Sequence, residues 1–136
     1  MTPLPDRTRL RQLQDTLVAG QFVHLYGNPH LPSSGDTGLE YAEVMAPGYG
    51  PALLNFEDWR ITEEGAEGKE VGFLFLLPPF PAIYGYYLTE RTTSRFLWAD
   101  AFLNVAGGLA PITPSTERFE LHVTPCLRLA PVPVGA

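Results

Sequence analysis

Lysine is almost missing from this chain. Lys69 is the only one among 136 residues, and arginine supplies the other basic side chains. Fifteen acidic residues leave a net charge of −6. Nucleic-acid binding draws on clustered positive charge to neutralise phosphates, so this composition argues against it. The one basic cluster, Arg7, Arg9 and Arg11, reads as a solvated helix face. Cysteine is equally scarce: Cys126 stands alone, which excludes an intrachain disulfide. Long apolar runs are missing too. The longest, "VGFLFLLPPF" from residue 71, is too short to span a bilayer. The opening "MTPLPDRTRLRQLQ" lacks the apolar core of a signal peptide. Charged residues make up 18 %, below the usual quarter, as expected where surface is covered by partners.

What is present reads as a fold. A chain of 136 residues makes one domain with a real core. Thirteen glycines and fourteen prolines separate short apolar runs, the pattern of an antiparallel sandwich or barrel. Only residues 3–18 have helical spacing, with Leu10, Leu13 and Leu17 on one face. Asp6 or Thr2 can cap its start and Gly20 its end. A helix this short must dock on something, either its own sheet or a neighbouring subunit.

From Gln21 the period changes to two. Strands are expected at 21–26, 39–46, 52–62, 71–77, 82–90, 94–102 and 118–130. Residues 28–38 and 104–116 read as loops, and "EEGAEGKE" (63–70) as an acidic turn. The run 71–77 is apolar on both faces, so it reads as a central or covered strand, broken by "PPFP". "RTT" between 82–90 and 94–102 marks a hairpin. In 118–130, Phe119, Leu121, Val123, Leu127 and Leu129 alternate with Glu120, His122, Thr124, Cys126 and Arg128. The expectation is an all-β, antiparallel two-sheet sandwich of jelly-roll type, with seven or eight strands and one short N-terminal helix. Its parts are a helical arm (1–20), the sandwich (21–130) and a loose tail (131–136).

Motifs for chemistry are sparse. His24, His30 and His122 make no HxH or HExxH pair, so no zinc site is expected. Asp36, in "SSGDTG", reads as a turn cap rather than part of a calcium loop. His122 and Cys126 share a strand face, but four extended residues put their Cα atoms ~13 Å apart, too far for activation. Glu57, Asp58, Glu63, Glu64, Glu67 and Glu70 crowd a turn as solvated surface. No GxSxG elbow and no Walker pattern occurs. Aromatics are the remaining feature. "IYGYYLTE" (83–90) holds three tyrosines, yet alternation sends Tyr84 and Tyr86 to one face and Tyr87 to the other, with Gly85 leaving room for a large neighbour such as Trp98. Core packing is therefore favoured over an open sugar platform built with Trp59 and Trp98.

The order of several short motifs resembles that of small structural proteins of tailed bacteriophages. "LYGN" (25–28) is followed by "YAEVMAPGY" (41–49), Trp59, "YGYYLT" (84–89), "FLWADAF" (96–102) and "LHVTPCLRL" (121–129). The similarity spans about residues 22–130. The unusually apolar 71–81 segment and the N-terminal helix depart from the pattern. The resemblance implies a non-enzymatic virion protein without cofactor or metal, of capsid decoration (cement) type. It further implies binding to the major capsid protein, a homotrimer, and a place on the outer surface of the capsid after assembly in the host cytoplasm. Neither nucleic acid nor membrane is an expected partner. A minor tail, collar or fibre-base protein, or a carbohydrate-binding jelly roll, are the alternatives. Partner-contact candidates are Arg7, Leu10, Leu13 and Leu17 on the helix, and Phe80 in "PPFP".

Overall fold

The structure is a computed structural model that describes residues 7–62, 64–76, 80–114 and 119–128, without the side chains of 7–10 and 128. The chain folds as an antiparallel β-sandwich with one short helix. Helix α1 (Arg7–Val18) precedes β1 (Gln21–Tyr26), β2 (Ala52–Leu54), a 3-10 turn (Phe56–Asp58) and β3 (Trp59–Thr62). Then come β4 (Gly65–Gly68), β5 (Val71–Phe75), β6 (Gly85–Glu90), β7 (Phe96–Ala101), β8 (Phe119–Val123) and β9 (Cys126–Arg128).

One layer is a four-stranded sheet in the order β2-β1-β6-β7. The other side is built from β3-β4-β9 and from the pair β5-β8. Strands β8 and β9 are one stretch of chain, interrupted at Thr124–Pro125, that ties these two sets together. Between the layers, Val23, Leu25, Leu54, Tyr86 and Leu88 meet Trp59, Ala66, Phe73, Phe75, Leu121, Val123 and Leu127. The Tyr86 hydroxyl accepts the Cys126 amide N–H at 3.0 Å and so bridges the layers.

The helix belongs to this core. Leu17 is fully buried in it and Leu13 packs against it. Gly20, at φ +82°, ends the helix as its left-handed cap residue, with its N–H on the Leu17 carbonyl. Next in line is a fully buried glutamine, Gln21. Its amide donates to the carbonyls of Thr16 (3.1 Å) and Leu17 (3.0 Å) and accepts from the Trp59 indole N–H (2.8 Å). One side chain thus joins helix, β1 and β3, with every polar atom used. The expected separate arm is, in the described part, a docked element. Both capping candidates, Asp6 and Thr2, lie outside the described residues, as do the tail residues 131–136.

Several expected elements take a different form. Residues 39–46 are no strand; only Glu43 bridges to Tyr26. The Asn28 side chain intervenes, donating to the Glu40 carbonyl and accepting from the Ala42 N–H. It takes backbone groups that a ladder would need. The expected long strand 52–62 is two strands, because the Asp58 carboxylate accepts the Asn55 N–H and closes a 3-10 turn. The acidic turn 63–70 contains β4, the central strand of its set, with Glu67 pointing out toward Arg60 and Ala66 pointing into the core. Strand β5 is buried on one face only, through Val71, Phe73 and Phe75, and ends two residues before the expected boundary. The 118–130 strand breaks at Pro125, which lacks a ladder donor, although Leu121, Val123 and Leu127 keep the expected parity. The β6–β7 hairpin forms as expected.

Candidate functional site

The strand register brings the polar and aromatic residues of the four-stranded sheet together on its outer face. His24 lies opposite Tyr87, and Tyr87 opposite Ala99. Phe22, Thr89 and Phe96 form the next row, continued by Leu53 on β2. Across this face runs the 27–51 segment. It sets Tyr41 on the sheet, stacked on Tyr87 (5.4 Å between ring centres) and Phe96 (5.3 Å), and edge-on to Tyr26 (4.9 Å). The result is a second, aromatic core of Tyr26, Tyr41 and Tyr87.

Two polar clusters fasten that segment. In the first, the His24 Nδ1–H donates to Glu43 Oε2 at 2.6 Å, while Nε2 stands 2.8 Å from Thr89 Oγ1. With the neutral ring, Nε2 accepts from the threonine hydroxyl. The His24 ring also stacks on Tyr87 at 4.6 Å. Glu43 accepts a further bond from Tyr49 Oη–H (2.7 Å), and that hydroxyl accepts the Leu25 N–H (2.9 Å). The second cluster centres on Asp36, whose side chain is only 7 % exposed. One carboxylate oxygen accepts from Tyr41 Oη–H (2.5 Å), His30 Nε2–H (2.8 Å) and the Ser33 N–H (2.9 Å). Those bonds, that from Tyr41 foremost, hold the Asp36 carboxyl down at about 2. Burial, with Asp100 and then Asp36 adding, pushes the Tyr26 phenol up to about 12. Burial and then Glu43 push Tyr87 up to about 12 as well. Tyr41 and Tyr49 are raised further, chiefly by burial.

Carboxylate, imidazole and hydroxyl stand in the order of a nucleophile relay in Glu43–His24–Thr89. Its bonds also hold parts of the fold together. Thr89 lies within the sheet between Phe22 and Phe96 of its own row, and the cavities lined by Phe96–Ala99 and by Arg60, Glu67 and Cys126 are not lined by His24, Glu43 or Thr89. The His24–Glu43 bond pins the 27–51 segment to β1, and the His24–Thr89 bond ties β1 to β6. Asp36 is the expected turn cap, and in addition the anchor of His30 and Tyr41. No sequence pattern marks the first cluster, since Glu43 and Thr89 lie 19 and 65 residues from His24.

Among the described residues no three His, Cys, Asp or Glu side chains gather to hold a metal ion, and no helix is long and apolar enough to cross a membrane. His122 faces Glu70 (3.3 Å) and Glu120 (3.6 Å) on the surface. Of the expected partner contacts, Leu17 is spent in the core and Leu13 rests on it. Phe80 packs edge-on against Phe75 at 6.2 Å. The side chains of Arg7 and Leu10 lie outside the described residues. The tyrosines of "IYGYYLTE" do not make a platform: Tyr86 and Tyr87 are buried on opposite faces. Nor does Gly85 make room for Trp98, which pairs with Leu88. A Cβ at Gly85 would meet the Asp100 carbonyl, the Ala101 backbone and the Tyr26 ring.

Several large apolar side chains are also open to solvent. Leu39, Met45 and Val105, all on connecting segments, are at least 90 % exposed, and Leu31 and Leu103 about half. Among the described residues, strand β7 is an outer strand of its sheet. It is flanked by two cavities, one of 410 Å³ lined by Pro32–Ser34, Tyr41 and Phe96–Ala99, the other of 310 Å³ lined by Leu13, Thr16, Arg95–Trp98 and Leu127. Comparison with protein-family models, curated proteins and solved structures finds no match to the chain.

Proposed function

We propose that the chain is a non-catalytic structural protein of a tailed-phage particle, a head decoration protein that docks on the major capsid protein. The observation that carries this reading is the exposure of large apolar side chains on connecting segments, with Leu39, Met45 and Val105 almost fully in solvent. Large apolar side chains exposed in this way are suited to burial against a protein partner. The polar clusters, by contrast, spend their hydrogen bonds inside the domain. The phage-like motif order adds the kind of partner. Its segments "LYGN", "YGYYLT", "FLWADAF" and "LHVTPCLRL" contribute to β1, β6, β7, β8 and β9.

The test is stoichiometry followed by binding. Purified virions should contain the protein in hundreds of copies. A count of a few would place it in a tail or collar, and absence would end the reading. The triple substitution Leu39→Ser, Met45→Ser and Val105→Ser should leave the thermal midpoint within a few degrees, because such surface changes cost little. It should weaken binding to expanded capsids by tenfold or more; undiminished binding would show that these segments are not the docking surface.

A further inference from the structure

A hydroxyl, an imidazole and a carboxylate in line are the parts of an activated nucleophile. On the outer face of the four-stranded sheet, Thr89 Oγ1 stands 2.8 Å from His24 Nε2, and His24 Nδ1–H donates to Glu43 Oε2 at 2.6 Å. Both distances are within the reach that proton transfer requires. The carboxylate keeps the proton on Nδ1, so the lone pair of Nε2 faces the hydroxyl. The relay is braced from two further sides. His24 stacks on Tyr87 at 4.6 Å, and Tyr49 Oη–H holds the Glu43 carboxylate at 2.7 Å. Only 14 % of the His24 side chain is exposed, whereas Thr89 is half-buried. The base is thus shielded and the hydroxyl is reachable. Its row is apolar: Phe22 and Phe96, both half-buried, flank Thr89, and Leu53 continues the row at 43 % exposure.

We propose that Thr89 is a covalent acceptor for an apolar acyl group, taken from an activated ester with His24 as general base. Thr89 Oγ1 attacks the ester carbonyl, and the Oγ1–C bond forms. The threonine proton passes to His24 Nε2, giving an imidazolium whose Nδ1–H stays on the Glu43 carboxylate. The ester C–O bond breaks, and the departing alkoxide takes the proton from Nε2. The products are an acylated threonine and a free alcohol, with His24 neutral again. The acyl chain lies against Phe22, Phe96 and Leu53, which favours an apolar group over a charged one. Glu43 is a positioning residue, since it acts only through the ring. The acceptor site is additional to the structural role and does not depend on membership in a particle.

The test is p-nitrophenyl butyrate on the full chain, read by nitrophenolate release, intact mass and peptide mapping. A butyryl group should map to Thr89, at a rate that climbs with pH as His24 loses its proton. Thr89→Val keeps the side-chain shape without the hydroxyl and should lose this adduct, while Thr89→Ser should retain it. His24→Asn should slow acylation at residue 89 tenfold or more and remove its rise with pH through the imidazole range. If that variant does not fold, Glu43→Gln, which keeps an acceptor oxygen, should slow acylation tenfold or more with unchanged near-ultraviolet dichroism. A butyryl group found only on Lys69, tyrosine or the N-terminus would overturn the proposal. So would acylation of Thr89 that proceeds equally fast in the His24 or Glu43 variant.

Discussion

Gly85 and Asp36 show how much single residues decide here. Gly85 sits where β6, β7 and the Tyr26 ring meet, and its missing side chain lets them close. A Cβ there would overlap the Asp100 carbonyl oxygen and stand 2.8 Å from the Ala101 Cα. These are backbone atoms that cannot swing aside. Gly85→Ala should therefore cost about 3 kcal/mol, the upper end for overpacking, seen as a lower urea midpoint. Asp36 acts through its charge. Its folded carboxyl titrates near 2 against an ordinary 3.8, so the ionised form is favoured in the fold. That stability is complete above about pH 4 and is lost as the pH falls toward 2. Asp36→Asn should flatten this part of the acid-unfolding curve, whereas an unchanged curve would mean that Tyr41 and His30 do not depend on the carboxylate. The sequence marked Asp36 as a turn cap. It could not show His30 and Tyr41 converging on it, because neither spacing encodes a contact across a folded loop.

At the scale of elements, the helix has a different task from the one its amphipathic spacing suggests alone. Leucines three and four residues apart demand a surface to cover, and the sequence left open whose surface. Buried Leu17 and the three bonds of Gln21 assign it to the chain's own sandwich. Leu17→Ala should cost about 2–5 kcal/mol, as for other large-to-small core changes. Removing residues 1–19 should lower the melting temperature sharply rather than leave an intact sandwich. A truncated chain that melts like the full one would restore the idea of a detachable arm. The strands divide along similar lines. β1, β6 and β7 were legible because alternation and a short turn are local signals. The segment 39–46 alternates as well, but Asn28 binds its backbone and leaves only one bridge. β4 has little apolar signal, since glycines pair through backbone alone.

At the scale of the whole molecule, tyrosines on both faces of one sheet couple the fold to alkaline pH. Tyr26 and Tyr87 are pushed to about 12 from an ordinary 10, and Tyr41 and Tyr49 are raised further. Each of these phenols keeps its proton longer folded than unfolded. Stability is thus undiminished below about pH 10 and falls as the pH climbs toward 12. Tyrosinate absorbance should develop late and together with loss of near-ultraviolet dichroism. Smooth titration of all six tyrosines near pH 10 in folded protein would contradict the two-faced aromatic core.

Alternation and turn chemistry were enough, by themselves, to determine an antiparallel β-sandwich with one short helix and a β6–β7 hairpin. They were enough too to deny the tyrosines of "IYGYYLTE" a common face, because side-chain parity along a strand is local. Tertiary structure alone decided where the helix docks, that His24, Glu43 and Thr89 meet, and that the space at Gly85 is filled by backbone and Tyr26. Each of these depends on which strands become neighbours, and that is settled by the packing of the whole core.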